Sequence, residues 1–260
     1  MKKILVLLST MVALSGCIHG HKHNDPDPVT PVTQEETQIV SNTCVVVVGV
    51  ENGYAGKCGG SLLDAENMSR ILGSYAAKSV VLTDSNATYV DVYTNLVEAV
   101  KYDLCIFYYS GHGGSTAATS DTSEVDGNDE YLCLFDRGML DNDIWDITGK
   151  ARGRVVLLFD ACHSATMYRS IFNFRRKAVT PRATVKGVSI LCMSGCPDTS
   201  YSYGSSEGGM FTNTLLKHFD PSKTYDELWD AIEKDETLKK YEAVQRTKIG
   251  EDFGSLPVFQ

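Results

Sequence analysis

The stretch VVLLFDACHS, which spans Val155–Ser164, decides the fold of this chain. Its five leading apolar residues form a run that is typical of a strand buried on both faces of a sheet. The run stops abruptly at an acid, a small residue, a cysteine, a histidine and a serine. Open α/β sheets carry their chemistry at the carboxyl ends of their strands, so this ending marks Cys162 as a candidate reactive residue.

A second apolar run ends in the same way. Residues 104–109, LCIFYY, lead directly into SGHGG at 110–114. A cysteine nucleophile needs a thiolate, which a histidine within hydrogen-bond reach supplies. Parallel neighbouring strands would bring the two ends together, so we predict His112 as the base and Cys162 as the nucleophile. The N–H groups of Gly113 and Cys162 are the predicted donors to a developing oxyanion.

Three residues near this pair need separate interpretation. His163 is a rival base, but adjacent strand residues point to opposite faces, which directs it away from Cys162. Asp160 shares the face of Cys162 if the strand persists. An acid at that position hinders ionisation of the thiol, so its natural use is recognition of a cationic side chain. Asp64, in the first turn of the helix after the first strand, is a second candidate for that recognition.

The rest of the chain alternates apolar strand runs with helical patterns, which predicts an α/β sandwich with a largely parallel sheet. Besides the two runs above, the predicted strands are 43–50, 79–83, 131–135 and 187–193. The predicted helices begin at about 61 and span 88–100, 141–147, 209–219 and 224–234. The predicted apolar face of the helix at 88–100 consists of Val90, Tyr93, Leu96, Val97 and Val100.

The motif GSSEG at 204–208 matches the G-x-S-x-G pattern of serine hydrolases. That chemistry requires a sharp turn from a strand into a helix. The preceding predicted strand ends near residue 193, so the motif lacks this context. We therefore do not predict a serine hydrolase.

Composition limits the function classes. The chain has 260 residues, of which 43% are hydrophobic and 22% charged, enough for one sizeable folded domain. Its formal net charge of −9 provides no basic field to hold phosphates, so we do not expect nucleic acid as a partner. The eight cysteines match no metal-binding spacing.

The first residues have the pattern of an export signal. Lysines precede an apolar run, and LSGC at 14–17 resembles the lipobox of bacterial lipoproteins. This resemblance implies a signal peptide at 1–16, lipidation of Cys17, and an exported protein anchored to a bacterial cell-envelope membrane. An ordinary secretory signal with a chance cysteine is the alternative. Residues 17–42, rich in polar residues and proline, are predicted to be a flexible tether.

Four short motifs resemble those of caspases and metacaspases. They are YYSGHG at 108–113, FDACHS at 159–164, SGCPD at 194–198 and GGMFT at 208–212. The resemblance covers about residues 43–257. It implies a caspase-like three-layer sandwich in which helices flank a mostly parallel, six-stranded sheet.

The resemblance also implies roles for individual residues. It makes His112 and Cys162 the catalytic dyad, and Asp64, Ser110 and Asp160 a pocket that accepts Arg or Lys. Protein or peptide substrates with basic residues are then the expected partners. One departure is a serine at position 61, where many relatives have a further cysteine.

The same resemblance divides the domain at 43–260. It implies a large-subunit-like part to about 168, a linker at 169–186 and a small-subunit-like part at 187–260. The linker is basic and contains Arg169, Arg175, Arg176, Lys177, Arg182 and Lys186. A peptidase with a pocket for Arg and Lys is able to cleave such a linker in itself. A solvated basic face, or contact with an anionic surface, is the alternative.

No cofactor is expected to be obligatory, but calcium is an option because metacaspases often need it. The candidate oxygen ligands are Asp126, Asp129, Glu130, Asp141 and Asp143. Arg169 stands where the resemblance would place a further acid. A plain solvated acidic loop is the alternative interpretation of these residues.

Together these features predict a cysteine endopeptidase that cleaves after Arg or Lys and processes itself in the basic linker. The alternative is a non-catalytic peptide-binding or interaction module on the same scaffold.

Overall fold

The computed structural model describes residues 42–117, 128–161, 187–195, 204–241 and 244–259. Up to the middle of the sheet, the elements are β1 (Thr43–Gly49), β2 (Asn52–Gly53), β3 (Gly56–Lys57), α1 (Ser61–Gly73), β4 (Lys78–Thr83), α2 (Tyr89–Ala99) and β5 (Leu104–Ser110). The next are β6 (Gly113–Ala117), β7 (Asn128–Cys133), β8 (Gly138–Leu140), α3 (Asp141–Thr148), β9 (Arg154–Asp160) and β10 (Ser189–Ser194). The last are β11 (Gly204–Ser205), β12 (Gly208–Gly209), α4 (Met210–His218), α5 (Tyr225–Glu233), α6 (Glu236–Tyr241) and β13 (Gln245–Ile249).

One six-stranded sheet in the order β13-β10-β9-β5-β1-β4 organises the described residues. Five of its strands are parallel, and β13 pairs antiparallel with β10 at one edge. Strands β1 and β5 are buried along their whole length, as continuous apolar runs are in a sheet covered on both faces. The prediction of a mostly parallel six-stranded sheet is confirmed.

Helices cover the two faces of the sheet. Along β5, Phe107 and Tyr109 belong to a core that α2 and α3 complete. Ile106 and Tyr108 belong to a second core that α1, α4 and α5 complete. This alternation follows from the two-residue period of a strand. The predicted three-layer sandwich is therefore confirmed, with an α2 layer on one face and an α1 layer on the other.

The predicted apolar face of α2 is wrong in its first half. Val92, Leu96 and Ala99 are the buried residues of this helix. Val90 is 65% exposed and Tyr93 is 37% exposed. The helix begins after Thr88, whose hydroxyl accepts a hydrogen bond from the backbone of Asp91. Val92, Leu96 and Ala99 are spaced by four and three residues, so they share the buried face of the helix.

Several short elements carry no periodicity that a sequence could reveal. They are the hairpin β2–β3, the strands β6 and β8, the helix α6 and the strand β13, whereas β7 overlaps the predicted strand 131–135. The motif at 204–208 forms the hairpin β11–β12. Ser206 lies in the turn of that hairpin, which is not the strand-to-helix turn of a serine hydrolase.

Within the described ranges, no helix has the length and apolar content to cross a lipid bilayer. The predicted signal peptide and Cys17 lie before residue 42, outside the described residues, as does nearly all of the tether. The basic linker at 169–186 also lies outside them. These predictions stay open.

Candidate active site

The carboxyl ends of β1, β5 and β9 meet at one edge of the sheet. Ser110 at the end of β5 is the register partner of Gly49 on β1 and of Asp160 on β9. The chain after β5 stays close, because the N–H of Gly111 donates to the carbonyl of Asp160 at 3.3 Å. The predicted convergence of these strand ends is therefore present.

The predicted nucleophile Cys162 and its neighbour His163 lie just beyond the described residues, which stop at 161 on this strand. Cys162 follows Asp160 by two positions, as His112 follows Ser110 by two positions. The pairing of His112 with Cys162, and the donation by the N–H of Cys162, stay predictions. Gly113, the other predicted donor, is the first residue of β6.

His112 is held at its backbone and at its ring. Its carbonyl accepts hydrogen bonds from the Tyr109 hydroxyl at 2.7 Å and from the Cys133 N–H at 2.9 Å. Its ring Nε2 lies 3.1 Å from the carbonyl oxygen of Lys57. A carbonyl only accepts, so Nε2 carries the proton in this arrangement, and Nδ1 is the acceptor that a general base needs.

The hairpin β2–β3 places the Lys57 carbonyl. One carboxylate, that of Asp84, accepts hydrogen bonds from the backbone of Glu51 and from the backbone and side chain of Asn52, at 2.8 to 3.0 Å. The N–H of Cys58 closes the hairpin by donating to the Glu51 carbonyl at 2.8 Å. Sequence reasoning missed this device, because a backbone carbonyl can come from any residue type.

The three predicted pocket residues form one buried cluster, which we call the acid pocket: Asp64, Ser110 and Asp160. The Ser110 hydroxyl donates to Asp64 at 2.8 Å. The N–H of Gly209 donates to the same carboxylate at 2.9 and 3.0 Å. The Asp160 carboxylate accepts from both the N–H and the hydroxyl of Thr212, at 2.8 and 2.7 Å. Two carboxylates from different elements are thus held together by the start of α4.

Ionisation of the two carboxyl groups in the acid pocket is unfavourable. Burial, and then the neighbouring Asp160 carboxylate, raise the pKa of Asp64 to about 7, although hydrogen bonds from Ser110 and Gly209 oppose that shift. Two buried acids at close range do not both ionise readily without a countercharge. A cation that entered the pocket would favour the doubly ionised state, so the cluster suits a guanidinium or ammonium group.

Sequence reasoning missed Gly209 and Thr212 as parts of this pocket. A Cβ atom on Gly209 would lie 2.1 Å from an Asp160 carboxylate oxygen, so only glycine fits there. The Thr212 hydroxyl donates to Asp160 and therefore accepts from the buried Tyr108 hydroxyl at 2.7 Å. The only signal in the sequence was the GGMFT motif, which contains both residues but does not indicate their hydrogen-bond partners.

Two of the acids proposed as calcium ligands, Asp129 and Asp143, have other partners at the start of α3. Asp143 accepts from the N–H of Leu140 at 3.3 Å, and Asp129 accepts from the Asn142 side chain at 3.1 Å. In the described part of the chain, no three acidic, histidine or cysteine side chains converge where an ion would bind. The described acids alone do not fit a calcium site. Asp126 lies outside them, and calcium binding stays a prediction.

Comparison with known proteins gives one family. The caspase domain model matches residues 42–247. Metacaspase-1 of Schizosaccharomyces pombe is 31% identical over 141 residues, 46% of this chain and 33% of that protein. Metacaspase-1 of Kluyveromyces lactis is 27% identical over 217 residues, 73% of this chain and 50% of that protein. The chain thus spans a third to a half of the length of these relatives.

A solved structure gives the same fold. Caspase-1 from Spodoptera frugiperda superposes with a TM-score of 0.56 at 11% identity, covering 80% of this chain and 86% of that chain. At such low identity the likeness concerns the fold alone, which is the caspase-like sandwich.

Proposed function

The chain belongs to the caspase domain family, and from that membership we propose that it is a cysteine endopeptidase that cleaves after Arg or Lys. The observation that supports the specificity is the acid pocket beside His112. Asp160 is the register partner of Ser110, two residues before His112, and the Asp64 carboxylate accepts a hydrogen bond from the Ser110 hydroxyl. A neutral or acidic side chain would leave those carboxylates uncompensated, which is costly in a buried site.

The proposed chemistry uses a dyad. Nδ1 of His112 takes the proton of the Cys162 thiol, and the thiolate attacks the carbonyl carbon of the scissile peptide bond. The N–H groups of Gly113 and Cys162 donate to the oxyanion that forms. The imidazolium then gives its proton to the leaving amine as the C–N bond breaks, which leaves a thioester. Water, deprotonated by His112, hydrolyses the thioester and frees the cysteine.

The acid pocket contributes to this reaction by orienting the substrate. A basic side chain held between Asp64 and Asp160 fixes the residue before the scissile bond, and with it the position of the carbonyl carbon. Such positioning lowers the barrier because the reacting atoms no longer have to be brought together in solution. The proton that the acid pocket holds near pH 7 leaves when the cation enters.

The test compares three fluorogenic peptides that end in Arg, Lys or Asp, with the purified chain and its Cys162→Ala variant. We expect turnover of the Arg and Lys peptides by the wild type alone. Each assay is run with added calcium and with a chelator, which tests the calcium requirement separately.

The other outcomes are equally informative. Turnover of the Asp peptide alone would contradict the role of the acid pocket. Absence of turnover under both calcium conditions would favour a non-catalytic peptide-binding module. Turnover that survives in Cys162→Ala would reject the nucleophile.

We also propose that the chain processes itself in the basic linker at 169–186. In sequence, the linker separates β9 from β10, and it contains six basic residues. Incubation of the wild type should yield fragments whose new termini follow Arg or Lys. Fragments from Cys162→Ala incubated alone would contradict self-processing.

Attachment to a bacterial envelope membrane is a further part of the proposal, supported by the lipobox-like LSGC at 14–17. Cells given a labelled fatty acid should label the wild type and not Cys17→Ala. Labelling of both proteins would contradict lipidation at Cys17.

A further inference from the structure

Two exposed aromatic residues, Tyr54 and Phe135, lie beside the segments that hold His112; we call them the aromatic rim. Tyr54 is in the turn of the hairpin β2–β3, which ends at Lys57, the residue whose carbonyl faces the His112 ring. Phe135 follows β7, whose last residue, Cys133, donates to the His112 carbonyl. The N–H of Tyr54 donates to the carbonyl of Phe135 at 3.0 Å, which joins the two segments.

The aromatic rim is exposed yet fixed in place. Tyr54 is 51% exposed and Phe135 is 36% exposed. The Tyr54 hydroxyl lies 3.6 Å from the Cys133 sulfur, and the N–H of Phe135 donates to the carbonyl of Ala87 at 3.0 Å. The Tyr54 side chain and the Phe135 backbone are thus held, and a held aromatic residue binds a partner at little cost in conformational entropy.

The hairpin that carries Tyr54 is also seated closely on the domain. A Cβ atom on Gly53 would lie 2.8 Å from a methyl of Val50 and 2.9 Å from the Leu134 carbonyl. Val50 and Leu134 belong to the core of the α2 layer. The acid pocket is built instead from α1 and the start of α4, on the other face of the sheet. The hairpin and the acid pocket are therefore anchored on opposite faces of the sheet, and both contact residues 110–112: the Lys57 carbonyl meets the His112 ring, and the Asp64 carboxylate accepts from Ser110.

This placement has a consequence for the substrate chain. The residue before the scissile bond enters the acid pocket, and His112 gives its proton to the amine on the other side of that bond. The residues that follow the scissile bond therefore leave past His112, toward the side where the aromatic rim lies. When an apolar substrate side chain displaces water from an apolar surface there, the free energy of binding becomes more favourable.

We propose that Tyr54 and Phe135 form a subsite for an aromatic or large aliphatic side chain directly after the scissile bond. This subsite deepens the proposed endopeptidase function and rests on it. It makes the preferred cleavage site a basic residue followed by a large apolar one. Selectivity here is modest, because the surface is only partly enclosed.

The experiment uses the full-length chain and internally quenched peptides that differ only in the residue after a single Arg: Phe, Leu, Gly or Asp. We expect kcat/KM for the Phe and Leu peptides to exceed that for the Gly peptide by about tenfold. Tyr54→Ala should lower kcat/KM for the Phe peptide much more than for the Gly peptide, so that the ratio between the two peptides falls. Tyr54→Phe, which keeps the ring, should retain most of the preference.

A matched control is Leu256→Ala, which removes another exposed hydrophobic side chain, 39% exposed, that neighbours the start of α5. This variant should keep the preference of the wild type. Equal cleavage of the Phe and Gly peptides by the wild type would overturn the subsite. An equal loss on both peptides in Tyr54→Ala would also overturn it, since that result indicates displacement of His112.

Binding of the uncleaved peptides to the Cys162→Ala variant gives a readout that does not depend on turnover. Tighter binding of the Arg-Phe peptide than of the Arg-Gly peptide, lost when Tyr54→Ala is added, supports the subsite even if the wild type proves inactive. Equal binding of the two peptides overturns it. Failure of the peptidase proposal and failure of the subsite are thereby distinguished.

Discussion

The acid pocket and the aromatic rim are anchored on opposite faces of the sheet and are built in opposite ways. The acid pocket is buried, and its carboxylates accept hydrogen bonds from a hydroxyl and from the backbone at the start of α4. The aromatic rim is open to solvent. Backbone hydrogen bonds and the contact of the Tyr54 hydroxyl with the Cys133 sulfur hold it in place.

The difference follows from what each cluster is proposed to recognise. Charge is recognised strongly only where water is excluded, because a high dielectric weakens Coulomb attraction. Apolar side chains are recognised by removing water from a surface, which requires that surface to be exposed beforehand. In the proposed enzyme, one sheet edge combines a stringent requirement before the scissile bond with a mild preference after it.

The largest effect is expected from removal of the His112 side chain, on which cleavage of every peptide depends. His112→Ala should lower kcat by about 10³-fold on every peptide, whatever residues flank the bond, because the base acts at the bond itself. Steady-state kinetics with the Arg-Phe and Arg-Gly peptides measure it. His218→Ala, at a histidine that pairs with Asp235 at the end of α4, is the control and should retain activity. A loss confined to one peptide would contradict the shared role.

The next largest effect is expected from a substitution that changes the acid pocket and leaves the aromatic rim intact. Asp160→Asn should lower kcat/KM for Arg peptides by about 10²-fold, because a buried cation loses its countercharge. The preference for Phe after the scissile bond should persist in the residual activity. Alkylation of Cys162 by iodoacetamide should be no slower than in the wild type.

Two results would oppose that assignment. Slower alkylation in Asp160→Asn would place Asp160 in the activation of the thiol. Unchanged kcat/KM for Arg peptides would remove it from recognition altogether. Asp230→Asn, at an exposed residue paired with Lys234, is the matched control.

A third change attacks the packing that closes the acid pocket. Gly209→Ala should lower the free energy of unfolding by about 1–3 kcal/mol, because the new methyl group displaces the Asp160 carboxylate from Thr212. Urea denaturation measures the loss. Gly59→Ala is the control, since a Cβ atom there meets no atom within 4 Å. Equal stability of the two variants would show that Asp160 is free to rotate.

The smallest expected effect is on pH dependence. The pKa of Asp64 is raised to about 7, so its ionised form, which binds the cation, becomes dominant as the pH rises through 7. The ratio of kcat/KM for an Arg peptide to that for a Gln peptide should rise about tenfold between pH 6 and pH 8. Taking the ratio removes the titration of groups that serve both peptides.

The stability of the fold depends on the ionisation of Asp64 in the opposite direction: activity on Arg peptides rises with pH, whereas the free energy of unfolding falls. A carboxyl whose pKa is raised on folding binds its proton more tightly in the folded state, so stability falls as the pH rises from about 4 through about 7. Asp64→Asn should therefore stabilise the chain more at pH 8 than at pH 5, and it should flatten the activity ratio. A ratio that stays steep in Asp64→Asn would assign the titration to another group.

The sequence predicted the parts of this edge that depend on residue type. Long apolar runs identified the buried strands, and the residues after them identified His112 and Asp160. The meeting of Ser110 with Asp160 follows from the convergence of strand ends in parallel sheets, whereas Asp64 was predicted from its place in the first turn of a helix and from the family resemblance.

The site contacts that sequence reasoning missed depend on the path of the backbone and not on residue type. The Lys57 carbonyl comes from a hairpin whose strands are two residues each, too short to have a period. Thr212 reaches Asp160 only because α4 starts against the acid pocket. The error in α2 has a different cause: apolar identity favoured Val90 and Tyr93, but Val92, Leu96 and Ala99 have the spacing of one helix face, and that face is the buried one.

The contact between His112 and the carbonyl of Lys57 has a consequence for how the protein tolerates mutation. The atom that orients the base belongs to the main chain, and the Lys57 side chain is 71% exposed. Substitution of that side chain therefore leaves the orienting oxygen in place. The oxygen that meets the His112 ring is thus retained when residue 57 is substituted, as a carboxylate partner would not be, and such a substitution removes only the ion pair between Lys57 and Glu51.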